Sequence, residues 1–509
     1  MSKLHIAFTS DTHGHILDED YATGRRAHMG ICRLMDPIHE WCSHGDSLIV
    51  DGGDTMQGTP LMKAWLRGSR KGTNPCALAL NRLGCVYVTL GNHDFNFGRD
   101  VLQQYLEELD AVCVCANVHD ERGKLPIIPS SVCTLPSGLV LGITGIVTDY
   151  VNIWERPEHL EGITIEDPVS AVQREAAKLR EEADLVVCIY HGGFEEDLAT
   201  GRRLSKTREN AACEIARTAD IDLLLTGHQH MAVDGVKIAG TWCVQSPANA
   251  TSFIALEGTD DGSGWVWSSD LMAADGAPDD LLSSMLAPLA AKTEEWLAEP
   301  VGELEAPIEP EEKLPCALSG SAVAHLINEA QIETSGADIS CTALPNGATG
   351  LPAKVTERDI CAAYPFANLL MKAEITREVL LSSLERCASY LELGPDGKPQ
   401  ISDLFLRPKV EHYNFDLYEG IHAVADLRLP VGRRITELTM ADGSPVPKKL
   451  TLALNDYRST GTGGYEALGE CPSEPVGSDE VPDIIAAFLR KKSPYVPRRT
   501  CSLEFIWQD

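Results

Sequence analysis

Eight short β-rich runs recur along the first half of this chain: "HIAFTS", "SLIVDGGD", "VYVTLGNHD", "VLGITGIV", "DLVVCIYHGG", "DLLLTGHQH", "GTWCVQS" and "TSFIALEG". Amphipathic stretches with apolar residues at helical spacing lie between several of them, for example "PVSAVQREAAKLREEA". Strands that alternate with helices in this way constrain the chain to a layered α/β fold.

Most of those runs end in residues that can bind a metal. They are Asp11 and His13 in "SDTHG", Asp54 in "DGGDT", Asn92 and His93 in "GNHD", His191 in "YHGG", and His228 and His230 in "TGHQH". In open α/β sheets, ligands bind beyond the carboxyl ends of the strands, and the glycines that follow let the chain turn sharply there. A lone Asp-x-His or Gly-His-x-His carries little weight, because turn aspartates and buried histidines are common. Five such clusters, each directly after an apolar run, point to one metal site.

Imidazole and carboxylate together suit borderline divalent metals such as Mn, Zn, Fe or Co, whereas calcium prefers an all-oxygen cage. The seven candidate ligands Asp11, His13, Asp54, Asn92, His191, His228 and His230 are too many for one tetrahedral site. They suit two ions about 3.5–4 Å apart, with Asp54 as the natural bridge.

Composition narrows the partners. A formal net charge of -32 argues against a nucleic-acid polymer or an anionic membrane surface as partner. An anionic substrate then needs local positive charge, which a metal supplies. The opening "MSKLHIAFTSDTHG" lacks the apolar core of a signal peptide, and no stretch approaches the roughly 20 apolar residues of a membrane span, so the expected location is cytoplasmic. The 16 cysteines sit scattered in contexts such as "AVCVCAN" and read as buried free thiols.

The texture changes after Asp275. A helix is expected from about Asp279 to Leu297, followed by a Pro/Glu-rich extended segment, and the two together read as a linker over residues 276–315. Residues 1–275 form the expected catalytic domain and residues 316–509 a second α/β domain, with helices over "SGSAVAHLINEAQIE" and "TREVLLSSLERCASYLE".

The series "DTHG", "GGD", "GNHD", "HGG" and "GHQH" resembles the calcineurin-like metallophosphoesterases, specifically the two-domain 5'-nucleotidase and 2',3'-cyclic-nucleotide phosphodiesterase family. "FDLYEGIHAVADL" and "NDYRSTGTGGYEAL" are similar to that family's substrate-binding domain. The resemblance implies a four-layer α/β/β/α sandwich, a helical linker and a second α/β substrate-binding domain. It implies one ion held by Asp11, His13, Asp54 and His230 and a second held by Asp54, Asn92, His191 and His228. His93 is then the candidate catalytic acid, beside the ligand Asn92 but not itself a ligand.

For the substrate, Phe415 and Tyr465 match the family's base-stacking aromatics, with Asn455 and Arg458 as further candidate contacts. Taken without the family, Phe415 reads as a core residue. Tyr465 follows the glycine turn "GTGG", where a buried aromatic is less expected. The chain departs from the family at "ALPNGATGLPAK", which lacks the arginine of "NGGIR"-like segments; Lys354 and Arg386 are candidate substitutes.

A second departure lies at Asn96, His93's candidate partner in catalysis. Members acting on 5'-nucleotides resemble "GNHEFD", whose aspartate orients the histidine, whereas the cyclic-phosphodiesterase and 3'-nucleotidase branch resembles "GNHEFN". An amide accepts the imidazole's hydrogen bond but adds no charge. The expected activity is hydrolysis of 2',3'-cyclic nucleotides and 3'-nucleotides. A 5'-nucleotidase or UDP-sugar hydrolase is the runner-up, and a non-catalytic nucleotide-binding protein the alternative of another class.

Overall fold

The computed structural model describes residues 2–68, 70–204, 207–262, 264–347 and 349–508, and it divides into two units, Met1–Thr293 and Glu294–Asp509. The first unit is built on two sheets. One has seven strands in the order Trp265–Ala273, Ser252–Asp260, Ser2–Thr9, Asp46–Asp51, Tyr87–Val88, Val112–Val114 and Ile127–Ile128. The other has six, in the order Val233–Ile238, Thr241–Gln245, Leu223–Thr226, Leu185–His191, Val140–Val147 and Ser130–Thr134.

Side chains alternate across a strand, and the second sheet uses both faces. Val187 and Ile189 enter the core between the sheets with Leu4, Ile6, Phe8 and Val50. Val186, Cys188 and Tyr190 point the other way, onto Val172 and Ala176 of helix Pro168–Leu179 and onto Ile215 of helix Ala212–Thr218. Each fully buried aliphatic side chain of this kind contributes about 1.5–3 kcal/mol relative to exposure. Helix Ile31–Trp41 packs on strands Ser2–Thr9 and Ser252–Asp260, with helix Pro75–Leu83 beside it. The result is the expected helix, sheet, sheet, helix layering.

Strand Ser2–Thr9 runs parallel to Asp46–Asp51, which runs parallel to Tyr87–Val88. In the other sheet Leu185–His191 runs parallel to Leu223–Thr226. Parallel strands leave their carboxyl ends along one edge, which collects the candidate ligand loops there.

The second unit holds a five-stranded sheet in the order Asp416–Glu419, Ile339–Ala343, Lys449–Asn455, Leu369–Thr376 and Ser473–Glu480. A three-stranded sheet runs Ile435–Met440, Ile421–Asp426 and Leu503–Ile506. The two expected helices appear as Ala322–Ser335 and Arg377–Ala388.

The stretch expected to link the domains differs from that expectation in its later part. A helix spans Asp280–Leu297, its first turn capped by Asp279, whose carboxylate accepts from the Leu282 N–H at 2.7 Å. Beyond it the Pro/Glu-rich segment is not a free tether. Pro300–Glu303 pairs with Lys354–Thr356, Ile308–Glu311 pairs with Thr349–Leu351, and a helix follows over Lys313–Ser319. Proline is tolerated at the start of a strand and on two-stranded edges, so its presence did not preclude pairing. No helix among the described residues is long and apolar enough to cross a membrane.

Candidate metal centre

The loops after the parallel strands carry an unusual backbone. Nine non-glycine residues among those described have positive φ, and five of them are Asp11 (54°), His13 (49°), Asp54 (54°), His228 (72°) and His230 (56°). For L-residues the left-handed conformation costs roughly 1–2 kcal/mol each, so the surroundings must impose it. The Asp11 and His13 N–H groups donate to the carbonyls of Gly53 and Asp54 at 2.9 and 3.0 Å, tying the first two ligand loops together. The next loop presses in closely: a Cβ on Gly91 would lie 2.1 Å from Asp54 Oδ1. The buried carboxylate of Asp94 accepts from the N–H groups of Gly91, Asp54 and Thr55 at 2.8, 2.9 and 3.0 Å, pinning one ligand loop to the other.

The side chains gather into two groups. Asp11, His13 and His230 present ligand atoms within 4.8 Å of one another, and so do Asp54, His191 and His228. Nε2 of His13 and Nε2 of His230 face each other at 3.0 Å, with Asp11 Oδ1 3.4 Å from the latter. His191 Nε2 joins the groups, 3.2 Å from Asp54 Oδ2 and 4.0 Å from Asp11 Oδ1.

Three of the imidazoles have one nitrogen anchored, which directs the other inward. His13 Nδ1 donates to the Gln57 carbonyl at 2.8 Å and His191 Nδ1 to the Gly52 carbonyl at 2.7 Å. His228 instead turns Nε2 to Glu209 Oε1 at 3.0 Å, leaving Nδ1 as its free nitrogen. Anchoring of this kind sets the tautomer and orientation of metal-binding histidines.

Two buried atoms of the cluster, Asn92 Oδ1 and His191 Nε2, have no hydrogen-bond partner. An unpaired buried polar atom costs about 1–3 kcal/mol; a divalent cation would give the Asn92 oxygen a partner and would take the place of the proton that Asp54 and Asp11 draw onto His191. The charges agree with that fit. Burial alone would raise the Asp11 and Asp54 carboxyls, but the surrounding histidines hold both well below the usual carboxylate range. Burial likewise lowers His191, and Asp54 and Asp11 outweigh it, pushing the imidazole up to about 10. Burial, followed by the neighbouring His230, pushes His13 down to about 3. The donor set therefore fits divalent cations.

His93 borders the cluster, its ring 5.5 Å from that of His13. Its backbone N–H donates to Asp54 Oδ1 at 2.7 Å. Its Nδ1 lies 2.7 Å from Asn96 Oδ1, so the amide takes the place expected of an orienting carboxylate. Because that oxygen only accepts, Nδ1 carries the proton and Nε2 is the nitrogen left for chemistry.

The substrate-side candidates of the second unit lie in a closed network. Arg458 and Asp416 form a buried bidentate pair at 2.8 and 2.9 Å, and the remaining guanidinium donors reach the Thr462 and Tyr413 carbonyls. Arg458, a candidate substrate contact, is thus buried in the core of the second unit. Tyr465 corrects the expectation drawn from its glycine turn: it is 2% exposed, with Arg458 stacked 4.0 Å from its ring and its hydroxyl donating to the Asn414 carbonyl at 3.1 Å. A left-handed Gly464 turns the chain back into the core instead of outward. Phe415 is also buried, stacked on Tyr390 at 4.4 Å. Asn455 caps a helical turn by accepting from the Arg458 N–H at 2.8 Å. Of the substitutes for the missing arginine, Lys354 is exposed on a two-stranded ribbon, while Arg386 donates to the Gly463 carbonyl at 2.8 Å and lies over Phe405.

Several residues of the first site had not been singled out. Asp94 was visible inside "GNHD" as an acid in a turn, though not as the pin between loops. Glu209 and Trp154, which touch His228, lie in stretches with no distinguishing pattern. Glu155, which accepts from Asn96 Nδ2 at 2.7 Å, is 59 residues away in sequence and gave no signal there.

Comparison with known proteins adds the following. Residues 4–232 match the family model of the calcineurin-like phosphoesterases, and residues 300–470 match that of the 5'-nucleotidase C-terminal domain. The chain is 24% identical to the 2',3'-cyclic-nucleotide 2'-phosphodiesterase/3'-nucleotidase of Haemophilus influenzae over 96% of its own length and 85% of that protein's. It is 24% identical to the trifunctional nucleotide phosphoesterase protein of Bacillus subtilis over 91% of its own length, and it spans about a third of that relative, 36%. Among solved structures, a Staphylococcus aureus protein described as a 5'-nucleotidase, in complex with alpha-ketoglutarate, superposes with a TM-score of 0.91 at 26% identity, covering 99% of this chain and 100% of that one. The Thermus thermophilus 5'-nucleotidase precursor shares the fold with a TM-score of 0.71 at 19% identity, covering 100% of both chains.

Proposed function

The chain belongs to the calcineurin-like metallophosphoesterases that carry a 5'-nucleotidase C-terminal domain, and on that premise we propose that it hydrolyses 2',3'-cyclic nucleotides and 3'-nucleotides to nucleoside and phosphate. Catalysis is assigned to residues 1–275 and nucleoside recognition to residues 316–509. The observation that carries the reading is the convergence of Asp11, His13 and His230 with Asp54, His191 and His228, all but His191 held in the left-handed conformation and His191 anchored through Nδ1, beside a histidine that is not needed as a ligand.

In this reading Asp11, His13, Asp54 and His230 hold one divalent ion, and Asp54, Asn92, His191 and His228 hold the other. The ligand types suit Mn, Zn, Fe or Co. Such ions make bound water nucleophilic near neutral pH and offset charge on the phosphoryl oxygens. The protein's own residues do the rest. The anchored imidazoles keep their geometry without rearrangement, and His93 Nε2 delivers a proton to the sugar oxygen as its bond to phosphorus breaks. With a cyclic phosphate, water adds to phosphorus and the 2' oxygen leaves, giving a 3'-monoester; a second water then releases phosphate. In the second unit Phe415 and Tyr465 are assigned to base stacking and Asn455 and Arg458 to further substrate contacts, roles that require the closed network around them to open.

Asn96 and the similarity to the Haemophilus enzyme support the cyclic and 3'-nucleotide preference. The second reading is a 5'-nucleotidase or UDP-sugar hydrolase, and the Staphylococcus neighbour, described as a 5'-nucleotidase, supports its first half. A cytoplasmic location is supported by the cysteines, all of which are free thiols, as in a reducing compartment. The deciding experiment gives the purified, Mn-loaded protein 2',3'-cyclic AMP, 3'-AMP, 5'-AMP and UDP-glucose. The proposal expects the first two to have the highest kcat/KM, and a preference for 5'-AMP would overturn it.

A further inference from the structure

The chain leaving strand Val140–Val147 folds over the edge of the metal cluster. Its short helix Val151–Trp154 places the Trp154 ring 5.5 Å from that of His228, inclined by 25°. The next residue, Glu155, turns inward, its side chain only 5% exposed. Oε2 of Glu155 accepts from Asn96 Nδ2 at 2.7 Å. Oε1 lies 2.8 Å from His159 Nδ1 and accepts the Arg156 N–H at 2.8 Å. Asn96 therefore stands between an imidazole and a carboxylate, its oxygen 2.7 Å from His93 Nδ1.

Resting on the reading of His93 as the proton donor, we propose that Glu155 is the positioning residue for His93, acting through Asn96: it fixes the amide with its oxygen toward the imidazole and supplies, one residue further out, the negative charge that a carboxylate at position 96 would supply directly. An amide has two faces of nearly equal shape, one accepting and one donating. A carboxylate only accepts, so Glu155 requires Nδ2 on its side and leaves Oδ1 for His93. Reversing the amide would set its oxygen against a carboxylate and its N–H against an N–H.

The same geometry explains why the amide is there. An aspartate at 96 would bring two carboxylates within hydrogen-bond distance, an arrangement in which both cannot be ionised. Asn96 and Glu155 are thus a matched pair, amide near the imidazole and charge behind it. Burial pushes the Glu155 carboxyl up, but His159, the Arg156 N–H and Asn96 more than offset it and hold the group below its ordinary value.

The test uses the full-length Mn-loaded protein with whichever nucleotide of the panel it cleaves fastest, whose sugar oxygen needs a proton as it leaves. It compares Glu155→Gln, Asn96→Asp and the exchange N96D/E155Q, with His93→Ala as the control for the underlying reading. Metal content, melting temperature and the NMR signal of the His93 Nδ1–H proton are recorded for each, the last on protein loaded with diamagnetic Zn. Loss of a group behind a working histidine typically lowers activity about 10–100-fold. The expectation is that Glu155→Gln lowers kcat in that range with KM within about twofold, unchanged metal content and a shifted Nδ1–H signal. Asn96→Asp should fall at least as far, or fail to fold. The exchange, which returns one charge and one amide to the pair, should recover kcat to within about threefold of wild type. Glu155→Gln at wild-type kcat, or an exchange as poor as the product of its single variants, would overturn the proposal while an inactive His93→Ala kept the reading of His93 intact. His93→Ala at wild-type kcat would overturn both.

Discussion

Each unit of this protein buries a cluster of charged and polar side chains, and the two clusters are finished to different degrees. In the second unit every guanidinium nitrogen of Arg458 has an acceptor, and the Asp416 carboxylate has Arg458 as its counter-charge. In the first unit Asn92 Oδ1 and His191 Nε2 are buried without a hydrogen bond, and the carboxylates of Asp11 and Asp54 face histidines and no lysine or arginine. The backbone follows the same division. Five of the left-handed non-glycine residues are candidate ligands of the first unit, whereas those of the second unit's turns are glycines. Burial alone therefore does not mark a functional site. Nor do leftover lone pairs, since Asn414 Oδ1 beside Arg458 is also buried without a partner. What sets the first cluster apart is that its carboxylates and imidazoles converge within ligand distance with no lysine or arginine among the described residues that face them.

The largest expected effect breaks the first cluster at its centre. Asp54→Ala should lower kcat on an aryl phosphate by at least about 10³-fold, since it removes the carboxylate common to both ligand groups. Far-UV circular dichroism should stay at the wild-type shape, because the loop keeps the Asp94 bonds to its backbone N–H groups. Activity that persists would make the first cluster as purely structural as the second.

The mirror experiment breaks the second cluster. Arg458→Met leaves Asp416 buried and unpaired, which should cost about 3–5 kcal/mol of stability, read as a fall in the urea midpoint. Replacing both partners, Arg458→Met with Asp416→Leu, should recover most of the loss, because a buried pair is often no better than a well-packed apolar one. Metal content should not change in either variant. A loss of bound metal would mean that the two clusters are not independent.

The contrast also explains what could be read from the chain in advance. Asp11, Asp54, Asn92, His191, His228 and His230 stand directly after apolar runs, and a strand fixes the direction in which its last residues leave, so local sequence was enough to bring them together. The sheets and the helix Asp280–Leu297 were legible for the same reason. What was not legible depends on partners far away in sequence. Tyr465 is buried because Arg458, the Asn414 carbonyl and the Asp416 N–H surround it, and none of these is implied by "GTGG". The Pro/Glu-rich segment after residue 297 is ordered because strands near residue 350 pair with it. Glu155 reaches Asn96 from a helix end with no pattern of its own.

A third variant separates the clusters by pH. Burial pushes the Asp51 carboxyl, beneath the metal loops, up to about 7 from an unfolded value of 3.8; Thr9 Oγ1 donates to it at 2.7 Å, but no cation compensates the burial. A carboxyl whose folded value is raised stabilises the fold fully at pH below about 4 and loses that contribution as pH rises toward 7. Wild type should therefore lose about 1–3 kcal/mol between pH 4 and pH 8 from this group, a slope that Asp51→Asn removes. Urea titrations at both pH values test it, and an unchanged slope in Asp51→Asn would show that Asp51 is ionised in the fold.

The smallest effect distinguishes two uses of Tyr465. Its hydroxyl donates to the Asn414 carbonyl at 3.1 Å and accepts, at 3.4 Å, from the Asp416 N–H. The ring face, in contrast, is what Arg458 lies on and what a nucleobase would need. Tyr465→Phe keeps the ring and deletes the hydroxyl, so the closed network loses about 1 kcal/mol, or about 2–4 °C in melting temperature. If the ring's role toward substrate is stacking, KM for 2',3'-cyclic AMP stays within about twofold of wild type, because every base stacks on an aromatic face whether or not it carries a hydroxyl. A rise in KM without a fall in melting temperature would reverse the division between the two clusters, since the hydroxyl would then be reaching the substrate and not holding the turn.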